Sequence, residues 1–178
     1  MKTIIVLTIA AVAFIAGCSR PGIKGDGVIN TSDRSISNFS ALEVAGAYQI
    51  KWSSGKPSLS ISTDENLLPL ITTSISGNTL QIDCKENLRP TKGITINVSS
   101  ASLSDVRLNG AVSLTASKLS GPDLKLESNG ASSIGIDGSV TDLEGYLSGA
   151  CIGEHPCSRN GCMECFGYGH IGVGSASQ

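Results

Sequence analysis

The sequence is poor in the residues on which most folds and most chemistries rely. Only 4% of its 178 residues are aromatic and 16% charged, and its two histidines, His155 and His170, both lie near the C-terminal end. Few charges combined with 21 glycines exclude a helical bundle or a coiled coil, which need Leu, Glu, Lys and Ala and little internal Gly. There is no basic excess, since 13 Lys and Arg face 15 Asp and Glu, so no nucleic-acid partner is expected. With histidine confined to the tail, no Ser/His/Asp or Cys/His catalytic set can be assembled from the body of the chain. Disorder is excluded in turn, because 40% of the residues are hydrophobic and many are β-branched. What is abundant is small and polar: 21 Gly, 27 Ser and 11 Thr make up about a third of the chain. That composition points to an all-β domain of short strands and tight turns.

Residues 1–17 read as an address rather than as fold. Lys2 supplies a positive start, Thr3 to Ile15 are uncharged and mostly apolar, and Ala16-Gly17 precede Cys18. This is the pattern of a bacterial lipoprotein signal, in which Cys18 is acylated. The apolar run is too short to span ~30 Å of hydrocarbon, and an ordinary secretory peptide has no need of a cysteine at that site. Two or more acyl chains would hold the protein at a membrane. Ser19 after the cysteine resembles the default outer-membrane sorting pattern, and residues 18–26 read as a lipidated polar tether. The expected location is the cell envelope, as an outer-membrane lipoprotein facing the periplasm or the exterior.

From residue 27 to 150 the chain reads as one β domain. Period-two alternation marks Leu42/Val44, Tyr48/Ile50/Trp52, Leu59/Ile61, Leu80/Ile82 and Ile94/Ile96/Val98 as inward-facing strand residues. Turn signals separate them at Ala45-Gly46, Ser53 to Pro57 and Ser76-Gly77-Asn78. One helical turn is expected over Asp64 to Ile71, capped by Thr63 or Asp64 and limited by Pro69. An internal repeat is the most informative feature. Asn109-Gly110-Ala111 recurs as Asn129-Gly130-Ala131 and again as Ser148-Gly149-Ala150, with the glycines 20 and then 19 residues apart. That period predicts a parallel β-helix, or β-solenoid, with coils of about 20 residues; a β-sandwich is the alternative. The glycines would occupy corners at positive φ and the alanines a narrow interior beside them. Asn109 and Asn129, continued by Ser148, would stack as a polar ladder.

The ordered series of these features resembles the auto-transporter adhesin head GIN domain family. It runs from Gly25-Asp26-Gly27 through Arg34 and Phe39 to Leu42-Glu43-Val44-Ala45-Gly46-Ala47-Tyr48-Gln49-Ile50. It continues with Leu59-Ser60-Ile61, Asp64 to Leu68, Gly77-Asn78-Thr79-Leu80-Gln81-Ile82 and the three Gly-Ala steps. The resemblance implies a β-helical, often lipid-anchored or secreted envelope protein without enzymatic activity. It also implies further Gly-Ala coils after Ala150, where this chain departs.

Residues 151–178 form a Cys-rich tail instead. Cys151, Cys157, Cys162 and Cys165 fall within fifteen residues, and Gly153 stands where the repeat requires an apolar residue. Three readings stay open: a zinc site from Cys162 and Cys165 with Cys157 and His155 or Cys151, disulfides stapling the tail, or a reading-frame shift near codon 150 that truncated the repeat. No metal or other cofactor is expected of the domain itself. Cys84, alone in its strand, reads as a small side chain. Asp123 and Asp142, each seven residues before a repeat glycine, are the candidate ligand-facing pair, with Lys125 and Glu144 two residues on. The expected function is a non-enzymatic, lipid-anchored binding or structural module with a glycan or protein ligand. The alternative is a glycan-active hydrolase or lyase on the same scaffold.

Overall fold

The computed structural model describes residues 21–149, together with the backbone of 151–153 and 169–173. Cys18, His155, Cys157, Cys162 and Cys165 lie outside the described residues, as does the side chain of Cys151. The described chain is all-β. In order it contains β1 (Ile23–Lys24), β2 (Ile29–Arg34), β3 (Ala41–Ser54), β4 (Ser58–Asp64), one 3-10 turn (Glu65–Leu70), β5 (Ile71–Ser76), β6 (Thr79–Cys84) and β7 (Leu88–Arg89). There follow β8 (Thr95–Ser100), β9 (Asp105–Gly130), β10 (Ser132–Ser148), β11 (Cys151–Gly153) and β12 (Gly169–Val173).

The long strands β3, β9 and β10 are the frame. β3 pairs in parallel with the first half of β9, from Ala41 on Asp105 to Ser53 on Ser117. The second half of β9 pairs in parallel with β10, from Ser113 on Ser133 to Asn129 on Ser148. Ser132 to Ile134 of β10 then receive Cys151 to Gly153 of β11 in the same sense. On the other side of β3 the layer is split: β6 pairs with residues 41–44 and β8 with residues 49–54. β4 and β2 extend that side in antiparallel pairing, β5 and β6 form a hairpin through Gly77 (φ +61), and β12 lies antiparallel on β10.

Parallel register puts like residues on like. Leu80, Leu42 and Val106 stand side by side, as do Ile96, Ile50, Leu114 and Ile134, and all are buried. Trp52 lies between Val98 and Ala116, the small residue leaving room for the indole. Its Nε1 donates to the buried Ser100 hydroxyl (3.0 Å), which donates to the Ser102 carbonyl (2.7 Å), so the polar edge of the ring is satisfied inside the core. Every residue of the five alternation groups is buried.

The corner between the two halves of each segment is made by glycine. Gly46, Gly110, Gly130 and Gly149 have φ of +138°, +120°, +132° and +117°. A Cβ on Gly110, Gly130 or Gly149 would lie 2.3–2.4 Å from the carbonyl oxygen of the preceding glycine in the column. Ala45-Gly46, expected as a turn, is therefore a corner within one continuous strand. The alanines that follow are not interior: Ala111 and Ala131 are exposed, and the next residues, Val112 and Ser132, turn inward. Asn, Gly and Ala thus all face outward at this corner, which breaks the strict alternation that had placed Ala inside. The change of spacing from 20 to 19 also has a location. Ser117 and Lys118 of β9 face the single Asp137 of β10, so the missing residue is taken from a second corner, where Lys118 has φ +58° and Gly138 +154°.

The N-terminal residues are clasped onto this frame. β1, which falls within the expected tether, pairs in parallel with β7. The 3-10 turn forms where a helical turn was expected, but the Asp64 side chain does not cap it. The fully buried carboxylate instead accepts hydrogen bonds from the backbone of Gly27 (2.8 Å), the backbone of Thr91 (2.8 Å) and the Thr91 hydroxyl (2.7 Å). Burial pushes its pKa up, but the hydrogen bonds from Thr91 and Gly27 outweigh it and hold the carboxyl below its ordinary value. Arg34 completes the clasp, donating to the carbonyls of Ile71 (2.7 Å) and Leu68 (3.0 Å) and to the Thr73 hydroxyl (2.9 Å).

Two outcomes are expected. Gly130→Ala should cost at least ~2 kcal/mol in urea unfolding, because it combines positive φ with a backbone clash. Gly121→Ala, which meets nothing within 4 Å, should change stability by less than ~0.5 kcal/mol. Equal costs for the two would remove the corner argument. Because the folded pKa of Asp64 is depressed, its stabilisation is present above its unfolded pKa near ~3.9 and is lost as pH falls through the folded value. Melting curves of Asp64→Asn should therefore fall off less steeply below pH 4 than those of the unaltered protein.

Candidate functional site

The outward faces of the stacked strands carry the polar side chains in columns. On one face Thr31, Ser62, Thr95, Gln49, Ser113 and Ser133 lie side by side on six neighbouring strands. A second column holds Asp33, Ser60, Asn97, Lys51, Thr115 and Gly135, and a third holds Ser58, Ser99, Ser53 and Ser117. At a strand spacing of about 4.8 Å, six strands make this face roughly 24 Å wide. Gly135, without a side chain, leaves a shallow depression of about 290 Å³ bounded by Ser113, Thr115, Ser133 and Asp137. Its walls present hydroxyls that both donate and accept, and one carboxylate that only accepts.

The face on the other side of the glycine corner is charged. Gln81, Glu43, Arg107, Glu127 and Tyr146 occupy one column. Gln81 Nε2 donates to Glu43 (3.1 Å), and Arg107 meets Asp105 at 3.2 Å and Glu127 at 3.5 Å. Lys125 Nζ sits 5.5 Å from the centre of the Tyr146 ring, whose hydroxyl donates to Glu144 (2.6 Å). The positive groups are therefore paired with their neighbours, and such exposed pairs add ~0–1 kcal/mol each to stability.

Asp123 and Asp142 are brought together: they are direct partners on adjacent strands, and both are exposed. Lys125 and Glu144 are partners in the same register. Asn129 Nδ2 donates to Asn109 Oδ1 at 3.3 Å, with Ser148 next in that column. Among the described residues no cluster of three or more His, Cys, Asp or Glu could hold a metal ion. Two carboxylates alone fall well short of the six to eight oxygens that calcium takes.

Sequence reasoning did not find three of these features. Asp137 and its depression required knowing that Gly135 faces outward beside Thr115. The charged column was accessible in principle, since Arg107 and Glu127 share the 20-residue offset of the repeat. Gly46 belongs to the glycine column but stands 64 residues before Gly110, off the period.

Like charges stacked on neighbouring strands repel. Asp142→Asn should therefore raise the melting temperature slightly in low salt, and the gain should vanish above ~1 M salt, where the Debye length is about 3 Å. A loss of stability at low salt would mean that the pair is held by a bound cation.

Comparisons with known proteins agree with this geometry. No curated protein matches the chain. A solved structure from Bacteroides fragilis described as a "putative adhesin" superposes with TM-score 0.70 at 21% identity, over 74% of this chain and 64% of that one. One from Parabacteroides merdae, described in the same words, gives 0.64 at 24% identity, over 71% and 55%. A "putative lipid binding protein" from Parabacteroides distasonis gives 0.58 at 22% identity, over 75% and 70%. The chain thus spans less than two thirds of the length of the first two structures, and at these identities the likeness is one of fold. The family model "Putative auto-transporter adhesin, head GIN domain" matches residues 38–154, about two thirds of the sequence. Adhesin-type proteins are surface or envelope proteins, and none of these relatives is described as an enzyme. The chain is a member of the auto-transporter adhesin head GIN domain family.

Proposed function

We propose that this protein is a lipid-anchored, non-enzymatic binding module of the cell envelope. In this reading the 19- and 20-residue segments are coils of a parallel β-solenoid, Cys18 is acylated, and the anchor holds the domain at the outer membrane. The hydroxyl-rich face, centred on the depression at Gly135, is the surface that meets a glycan or a protein. The observation that carries the reading is the register of that face: three columns of hydroxyl, amide and charged groups present donors and acceptors at a constant spacing of about 4.8 Å. A ligand with its own repeating polar groups can match such a lattice, and many modest contacts then add up along it.

The competing reading is a glycan-active hydrolase or lyase built on Asp123 and Asp142. A glycosidase needs one carboxyl as proton donor and the other as base or nucleophile, which requires two different environments. These two residues are stacked, both exposed and equivalent in the repeat, and that symmetry favours a binding surface.

Fractionation and binding assays test the proposal. Cys18→Ser should move the protein from the membrane to the soluble fraction and abolish incorporation of labelled palmitate. The same soluble protein should bind members of a glycan array or capture an envelope protein. The double variant Thr115→Val, Asp137→Ala should weaken that binding about tenfold or more, which corresponds to ~1.4 kcal/mol. Unchanged binding in the double variant, or release of reducing ends that stops in Asp142→Asn, would overturn the assignment.

A further inference from the structure

The glycine column is interrupted at one end, and the interruption leaves a pocket. Gly149, Gly130, Gly110 and Gly46 stack directly, but the layer beyond Gly46 has no matching glycine. There β6 covers residues 41–44 of β3 and β8 covers residues 49–54. The chain between them cannot turn the tight corner and detours through residues 85–94, held to β3 by the Gln49 amide on the Ile94 carbonyl (2.9 Å). Beneath this detour lies a pocket of about 220 Å³, walled by Gly46, Ala47, Tyr48, Cys84, Leu88 and Ile94.

Its chemistry is uneven. The walls are mainly apolar, yet Tyr48 is only 3% exposed and, among the described residues, its hydroxyl is buried without a hydrogen-bond partner. A buried hydroxyl without a partner is destabilising, and isolated cases in native structures call for an explanation. Burial, with Cys84 and Asp83 nearby, holds its ionisation above the ordinary tyrosine value, so it stays a neutral donor. Glu86 and Asp83 beside it make the surroundings unfavourable to an anion. The volume is below the roughly 300–1,000 Å³ of sites for drug-sized ligands, so the occupant is fragment-sized.

The geometry points to a ligand site at this broken corner: it takes a small, uncharged, largely apolar molecule or group bearing one hydroxyl or carbonyl oxygen, which pairs with the Tyr48 hydroxyl. Tyr48 follows the Gly-Ala corner, where the later segments place Val112 and Ser132. A phenol at this position is therefore not demanded by the stacking. The site is separate from the hydroxyl-rich face and independent of what that face binds.

Benzyl alcohol and benzoate, alike in size but opposite in charge state, are suitable probes. Titrated into the isotope-labelled full chain carrying Cys18→Ser, benzyl alcohol should shift the amide resonances of residues 46–48 and 84–94 saturably, and benzoate should not. Tyr48→Phe should leave the melting temperature unchanged or raised, since it removes a hydroxyl without a partner. It should also weaken benzyl alcohol roughly threefold to tenfold, the worth of one neutral hydrogen bond. Ala47→Val, at an exposed position on the rim, should weaken it by added bulk without unfolding the chain. The site is overturned if benzyl alcohol shifts no pocket amide, if benzoate competes equally, or if Tyr48→Phe binds unchanged. It is equally overturned if Tyr48→Phe melts lower, because the hydroxyl then has a structural partner.

Discussion

Four glycines, at 46, 110, 130 and 149, stack so closely that a single Cβ on Gly110, Gly130 or Gly149 would collide with the carbonyl of the glycine before it. The rest of the structure depends on that approach. Positive φ lets the chain change direction inside a strand without ending it, so the corner interrupts neither the ladder of hydrogen bonds nor the register. With the corner held in one column, each following residue is forced onto its counterpart. Leucine and isoleucine then meet inside, and serine, threonine and aspartate meet outside.

The two faces that result differ for a local reason. On one side of the corner opposite charges alternate, with Arg107 engaged by Glu127 and Lys125 lying over the Tyr146 ring. On the other side the groups are short and mostly uncharged, and many of their donors and acceptors remain turned to solvent. Engaged charges stabilise a surface modestly and offer little to a partner. Short polar groups at constant spacing can exchange water for a ligand at low entropic cost. That contrast is the physical basis for proposing the hydroxyl-rich face as the binding surface.

A regular stack has few concavities, because each layer fills the space beside the next. The pocket at Tyr48 exists because the stack stops being regular. β3 is covered by two short strands, β6 and β8, and the segment joining them bulges over the corner. The same irregular region carries the clasp through Asp64, Thr91 and Gly27, which ties β1 and β2 to the frame. Individuality in this molecule is concentrated where the repeat begins.

Local patterns and the fixed interval were enough to read the all-β class, the five buried strand groups, the glycine corners and the partnership of Asp123 with Asp142. Each of these is a property of a short segment, or of one offset applied repeatedly. Ala111 and Ala131 were misplaced because alternation was carried through a corner at which three consecutive residues turn outward. A helix cap was expected from Thr63 or Asp64, but Gly27 and Thr91, distant in sequence and close in space, offered the Asp64 carboxylate three donors. The place of Gly46 and the pocket at Tyr48 depend on which strand lies beside which across 46 or 64 residues, and the depression beside Asp137 on which residues of β9 and β10 face outward together. By itself the sequence determined what each strand would bury and where the chain would bend, because side-chain polarity and glycine's freedom act locally. Only the tertiary structure decided which polar groups stand together and which hydroxyl, among the described residues, is left without a partner, because those follow from a packing of distant segments that no local pattern contains.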